Sequence, residues 1–80
     1  MLTTSIKGKK SFLLELNEQE IRNLLNSCRL NYKINKRGGY TALFVKNTSI
    51  VFYKEVNSPL CEVQFKIDDM EKISSILARL

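Results

Sequence analysis

The chain has 80 residues and a formal net charge of +5, and 44% of its residues are hydrophobic. This length fits a single domain spanning residues 1–80, and the ordinary apolar fraction excludes a disordered chain. There are two cysteines and no histidine, the usual side chain for proton transfer near pH 7. Metal sites also need histidine, cysteine or converging carboxylates. We therefore expect a protein that is not an enzyme and has no cofactor or metal site.

The first part of the chain predicts strands and then a helix. A short strand is predicted over residues 3–6, followed by a second strand in which Phe12, Leu14 and Leu16 alternate with other residues. Asn17 and Glu20 then have the spacing of a helix capping box. A helix is predicted over residues 18–29, with its apolar face formed by Ile21, Leu24, Leu25 and Cys28.

Four strands are predicted in the middle of the chain. Residues 30–35 alternate in polarity, and the turn at Gly38 and Gly39 joins them to a strand over residues 40–46. A further strand over residues 50–56 turns at residues 57–59. The last strand carries its apolar residues at alternate positions, namely Cys61, Val63, Phe65 and Ile67.

A second helix is predicted from a capping box at Asp68 and Glu71 to the end of the chain. Its apolar stripe consists of Met70, Ile73, Ile76, Leu77 and Leu80. Because short turns join antiparallel neighbours, the fold class is α+β. We expect an antiparallel sheet of about five strands, in the order β(β)-α-β-β-β-β-α, with two helices packed on one face and the other face open to solvent.

The two cysteines favour a reducing compartment. Cys28 and Cys61 both fall at apolar positions, as expected of buried free thiols. No segment has the apolar length of a signal peptide or a membrane span. We therefore expect a cytoplasmic protein with no membrane partner.

The positive charge is concentrated before residue 55. Residues 1–54 carry ten lysines and arginines and three acidic residues. Residues 55–80 carry three lysines and arginines and five acidic residues. Phe12, Tyr32, Phe44 and Phe65 are predicted to be core residues. Phe52 and Tyr53 are adjacent, so one of them must face away from the core, and we predict that it is Tyr53. The basic and aromatic residues predicted to bind a partner are Lys33, Lys36, Arg37, Tyr40, Tyr53 and Lys66.

The combination of small size, an open sheet face and no catalytic groups favours a binding function. We expect an adaptor or inhibitor that acts on a host or partner protein complex. The chain's size and βα order resemble several groups of small toxin, antitoxin and phage accessory proteins, which implies an accessory or anti-defence protein of a phage or mobile element. The nine lysines, seven asparagines and seven isoleucines also fit an A/T-rich genome.

Two other functions remain open on the sequence. A basic face that carries aromatic residues is typical of proteins that bind RNA or single-stranded DNA. An exposed strand edge can instead pair with a second copy of the chain, which would give a self-assembling homodimer.

Overall fold

The computed structural model describes residues 8–80. It contains five strands and two α-helices, in the segments where the sequence shows alternating and helical patterns. In chain order they are β1 (Lys9–Leu14), α1 (Glu18–Ser27), β2 (Tyr32–Lys36), β3 (Tyr40–Val45), β4 (Val51–Glu55), β5 (Cys61–Lys66) and α2 (Met70–Leu77). The α+β class and the antiparallel sheet are confirmed. The additional strand predicted over residues 3–6 lies outside the described residues.

Helix α1 begins with the predicted capping box. The Asn17 Oδ1 atom accepts a hydrogen bond from the Glu20 backbone N–H at 2.8 Å, and Glu20 Oε1 accepts from the Asn17 N–H at 2.9 Å. The helix ends where Arg29 adopts a left-handed φ of 59°. The Leu30 N–H then bonds to the Leu25 carbonyl at 3.0 Å, which completes a Schellman motif.

The sheet brings the first and last strands together. Its order is β1-β5-β4-β3-β2, so β2 to β5 form successive hairpins and β1 pairs with β5. One row across all five strands consists of Phe12, Val63, Phe52, Leu43 and Ile34. The edge strands β1 and β2 are connected through α1. This connection therefore crosses the sheet on the face that carries this row of side chains.

Both helices pack on that same face. The buried core combines side chains from the sheet and from both helices, including Ile21, Leu24, Leu25, Leu43, Phe52, Val63, Ile73 and Ile76. Phe65 is buried in this core, and Phe12 and Tyr32 pack against it while partly buried. Neither helix of residues 8–80 covers the opposite side of the sheet, which we call the open face.

The prediction that Phe44 is a core residue is wrong. Leu43 and Val45 face the helices and are buried, so strand alternation turns Phe44 toward the open face. Its side chain is 37% exposed there. The prediction that Phe52 faces the core and Tyr53 faces away is confirmed, because Phe52 is buried in the helix-side core.

The predicted start of the second helix is also wrong. A short 3₁₀ helix (Ile67–Asp69) precedes α2, and neither helix has a side-chain cap, so Asp68 and Glu71 form no capping box. The Asp69 carboxylate instead accepts hydrogen bonds from the Ser49 backbone N–H at 2.8 Å and from the Ser49 hydroxyl at 2.5 Å. The chain therefore uses this carboxylate to attach the β3–β4 connection to the beginning of α2.

Helix α2 is shorter than its apolar pattern predicts. It ends at Leu77, before the C-terminus. Ile73 and Ile76 are buried, whereas Met70 and Leu80 are exposed. Only the middle of the predicted apolar stripe therefore packs on the sheet.

Candidate functional site

The open face is formed by strand residues that point away from the helices. Its two complete rows are Ser11, Gln64, Val51, Phe44 and Lys33, followed by Leu13, Glu62, Tyr53, Ala42 and Asn35. Beyond the first row Lys9 pairs with Lys66, and beyond the second Tyr40 pairs with Glu55. The face is thus basic at one end and both aromatic and acidic at the other.

Three lysines from three strands form the basic end, which we define as Lys9, Lys33 and Lys66. Lys9 and Lys66 are direct cross-strand neighbours on β1 and β5. Lys33 lies on the edge strand β2, directly opposite Phe44. Lys33 and Lys66 are exposed and Lys9 is half-buried. This end therefore presents cationic groups beside an exposed aromatic ring.

The open face carries three aromatic side chains, Phe44, Tyr40 and Tyr53, and the two tyrosines are close together. The ring centroids of Tyr40 and Tyr53 are 6.2 Å apart, and their planes are tilted by 58°. Ala42, opposite Tyr53, and Val51, opposite Phe44, are buried although they lie on the open face. These two small side chains are thus shielded from solvent, whereas Tyr40 and Phe44 are exposed.

A shallow groove of about 400 Å³ lies at the acidic end, and we call it the tyrosine groove. Its lining residues are Leu13, Tyr40, Tyr53, Glu55, Ser58, Leu60, Glu62 and Gln64. Strand register places Glu62 opposite Tyr53, and Glu55 opposite Tyr40. Each carboxylate is therefore a direct neighbour of a phenol ring, at a cross-strand Cβ separation of about 5 Å.

The two groove carboxylates have no cationic partner within residues 8–80. The ion pairs found there involve Glu18, not Glu55 or Glu62. Lys54 is adjacent to Glu55 in sequence, but it faces the helix side, and its ammonium donates to the backbone carbonyls of Glu55, at 2.7 Å, and Ser58. The groove therefore carries two negative charges that nearby cations do not neutralise by direct contact.

Most of the predicted binding residues lie on the open face but not at one place. Lys33 and Lys66 belong to the basic end, whereas Tyr40 and Tyr53 line the tyrosine groove. Arg37 lies in the β2–β3 turn, where its backbone N–H donates to the Tyr40 carbonyl at 2.8 Å. The two lysines and the two tyrosines thus mark the two ends of one face, and Arg37 lies in the turn that precedes Tyr40.

Lys36 lies on the helix side of the sheet. Its ammonium is 3.4 Å from the Glu18 carboxylate, which also lies 3.5 Å from the Arg22 guanidinium. The Thr41 hydroxyl donates to the same carboxylate at 3.5 Å. Lys36 therefore connects β2 to the beginning of α1 and does not contribute to the open face.

The sequence prediction did not include five residues that define this surface. They are Lys9, Leu13, Phe44, Glu55 and Glu62. The signal that could have found them is strand alternation, because each has the opposite parity to the residues of its own strand that face the helices. Selection by charge and aromaticity alone overlooked the two acids and the exposed leucine.

The thiols lie apart from this surface. Cys61 is buried, Cys28 is half-buried, and both are free. Burial raises the pKa of the Cys61 thiol to about 11, which disfavours the reactive thiolate near neutral pH. Within residues 8–80, no group of three or more His, Cys, Asp or Glu residues is arranged to hold a metal ion. No helix in this part of the chain is long and apolar enough to cross a membrane.

No protein-family model, curated protein or solved structure matches the chain. Function is therefore inferred from the residues and geometry of the open face.

Proposed function

We propose that the protein is a non-catalytic binding protein that engages a partner protein through the open face, as an adaptor or inhibitor. The observation that supports this proposal is the arrangement of charge on that face. Lys33 and Lys66 lie at one end, where Lys33 is opposite Phe44, and Glu55 and Glu62 lie at the other, where they are opposite Tyr40 and Tyr53. A protein surface that carries both kinds of charge together with apolar groups is complementary to both ends of this face.

A nucleic-acid strand matches this face less well. Every nucleotide contributes a negative phosphate, so affinity depends on cations along the whole path of the strand. The basic end and Phe44 suit phosphates and a stacked base. Phosphates placed over the tyrosine groove would meet the carboxylates of Glu55 and Glu62 instead. RNA or single-stranded DNA is therefore the alternative ligand. Its binding would be detected by partner capture with and without nuclease treatment.

Self-assembly is the second alternative. The edge strands β1 and β2 each have one side without a strand partner in residues 8–80. Such an edge can pair with the same edge of a second copy. Sedimentation at low protein concentration separates this alternative, since a stable monomer excludes a constitutive homodimer.

The biological setting is part of the same proposal. We place the protein in the cytoplasm because both cysteines are free. A single small domain without catalytic groups also suits an accessory or anti-defence protein of a phage or mobile element that acts on a host complex. The proposed action is occupation of a partner's surface, with no chemical change to it.

The proposal is tested by capture of partners from a lysate that is divided into nuclease-treated and untreated halves. The bait variant Lys33→Glu/Lys66→Glu reverses two charges of the basic end. The matched control, Lys72→Glu/Arg79→Glu, changes the net charge equally at exposed positions of α2 and the C-terminal end. We expect a captured protein that survives nuclease treatment, loses about tenfold in affinity with the first variant and is unchanged with the control.

Two results would overturn the proposal. Loss of all captured material after nuclease treatment, with binding that weakens steeply as salt is added, would identify nucleic acid as the ligand. Equal weakening by both variants would mean that net charge, and not the open face, determines capture.

A further inference from the structure

The tyrosine groove has an unusual composition for a protein with a net charge of +5. Register places Glu62 beside Tyr53 on the neighbouring strand, and Glu55 follows two positions after Tyr53 with Tyr40 opposite it. Carboxylates and phenol rings therefore alternate in a zigzag over three strands. Leu13, on β1 opposite Glu62, adds an apolar wall.

This composition is complementary to a cation with an apolar stem. The face of a tyrosine ring attracts a cation through its quadrupole, and a neighbouring carboxylate adds direct charge attraction. Leu13 and Leu60 can contact the methylene groups that precede the charge in a long basic side chain. An anionic group in the same place would be repelled by both Glu55 and Glu62.

The lysines and the arginine near the groove do not form ion pairs with Glu55 or Glu62 within residues 8–80. Lys54 faces the helix side and donates to backbone carbonyls, and Lys36 is paired with Glu18 on that same side. Arg37 lies in the β2–β3 turn, where its backbone N–H donates to the Tyr40 carbonyl, and it does not form an ion pair with Glu55 within residues 8–80. The two groove carboxylates are thus available to a group from outside.

We infer that the tyrosine groove binds an arginine side chain of the partner protein, an inference that rests on the proposed protein-binding function of the open face. Arginine fits better than lysine because its planar guanidinium stacks on an aromatic ring and can donate hydrogen bonds in several directions at once. Glu55 and Glu62 accept those bonds, while Tyr40 and Tyr53 provide the ring surfaces. The partner therefore presents an arginine over the groove and acidic groups over the basic end.

The probe is a set of four acetylated hexapeptide amides, Gly-Ser-Xaa-Leu-Ser-Gly, in which Xaa is arginine, lysine, citrulline or glutamate. Citrulline keeps the shape of arginine but replaces the guanidinium by an uncharged urea. Binding is followed by NMR shifts of the Tyr40, Tyr53 and Leu13 side chains. We expect the arginine peptide to bind about fivefold more tightly than the citrulline peptide, and the glutamate peptide to produce no shifts at these residues.

The variant Glu55→Gln/Glu62→Gln should remove the difference between the arginine and citrulline peptides. The matched control Asp68→Asn/Glu71→Gln removes two exposed carboxylates near the start of α2 and should preserve the difference. Equal binding of the arginine and citrulline peptides to the unmodified protein would overturn the inference. If the basic-end variant still weakens partner capture in that case, the proposed function stands and only the arginine assignment fails. If the peptides bind as expected but the basic-end variant captures the partner as well as the unmodified protein does, the proposed function fails and the arginine site stands.

Discussion

The Asp69 carboxylate holds together two segments that are distant in sequence. It accepts two hydrogen bonds from Ser49, and the Ser49 hydroxyl in turn accepts one from the Lys66 N–H at 2.8 Å. The hydrogen bond from the Ser49 hydroxyl, followed by that from its backbone N–H, lowers the pKa of Asp69 below its usual range. These bonds favour the ionised carboxylate in the folded state.

This lowered pKa has a defined consequence for stability. A carboxyl group whose pKa is lower in the folded than in the unfolded state stabilises the fold above the unfolded pKa, which is about 4 for aspartate. That contribution is lost as the pH falls through the folded pKa. The effect of Asp69 on stability should therefore be complete near neutrality and disappear in acid.

We predict that Asp69→Asn lowers the free energy of unfolding by about 1 kcal/mol at pH 7, because the charge-assisted hydrogen bonds from Ser49 are weakened. Urea unfolding at pH 7 and at pH 3 measures the difference between variant and unmodified protein. The difference should be smaller at pH 3. Asp68→Asn is the control, since the Asp68 side chain forms no hydrogen bond within the described residues. A difference that stays constant with pH would contradict the assigned role of the charge.

At the level of elements, two similar sequence patterns give different helix starts. The Asn17 and Glu20 pattern forms both hydrogen bonds of a capping box, whereas the Asp68 and Glu71 pattern forms neither. The physical reason is tertiary: the strand β5 ends in a 3₁₀ turn, and Asp69 is held by Ser49 at the position where the α-helix begins. A local pattern can therefore predict a helix without predicting which groups accept hydrogen bonds from the backbone N–H groups of its first turn.

We predict that Asn17→Ala destabilises the protein by about 1 kcal/mol, because it removes the cap of α1. Asp68→Ala should change the free energy of unfolding by less than about 0.5 kcal/mol, as expected for an exposed residue without a cap. Both values come from denaturant unfolding at pH 7. Equal losses for the two variants would show that the second capping box forms in solution.

The apolar stripe of α2 provides a second comparison within one element. We predict that Ile76→Ala costs about 2–5 kcal/mol, because Ile76 is fully buried against the sheet. Leu80→Ala should cost less than about 0.5 kcal/mol, since Leu80 is exposed beyond the end of the helix. Thermal unfolding of the two variants and the unmodified protein measures both losses in the free energy of unfolding. Similar losses at the two positions would mean that the C-terminal residues also pack on the core.

Strand alternation explains which parts of the site were predictable. The sequence correctly assigned Tyr53 to the open face because its neighbour Phe52 had to face the core. The same reasoning applied to Phe44 would have placed it outside, but its hydrophobicity favoured a core position. Lys36 belongs to β2 together with Lys33, but strand alternation places the two side chains on opposite faces. Parity along a strand was thus a better guide than residue type.

At the level of the whole molecule, the sheet order could not be read from the sequence. The hairpin turns predict that β2 to β5 are successive neighbours, but nothing local predicts that β1 pairs with β5. That pairing brings Lys9 next to Lys66 and places Leu13 opposite Glu62. Both ends of the open face therefore depend on a contact between distant parts of the chain.

The spatial distribution of charge also differs from its distribution along the chain. Positive charge is concentrated in residues 1–54, but the basic end takes Lys66 from the acidic remainder. The tyrosine groove combines Glu55 and Glu62 with tyrosines from β3 and β4. The polarity of the open face is a property of the folded sheet, and it is the basis of the proposed preference for a protein partner.

The most direct test of the central claim is partner capture with a pair of baits matched in exposure. Leu13→Ser/Tyr40→Ser changes two open-face residues that are 60% and 39% exposed, and Leu80→Ser/Met70→Ser changes two residues outside this face that are 63% and 39% exposed. The baits are first shown to have similar melting temperatures and are then incubated with nuclease-treated lysate. If the open face binds a protein, the first bait loses most of the captured partner and the second retains it. Equal capture by the two baits would contradict the claim.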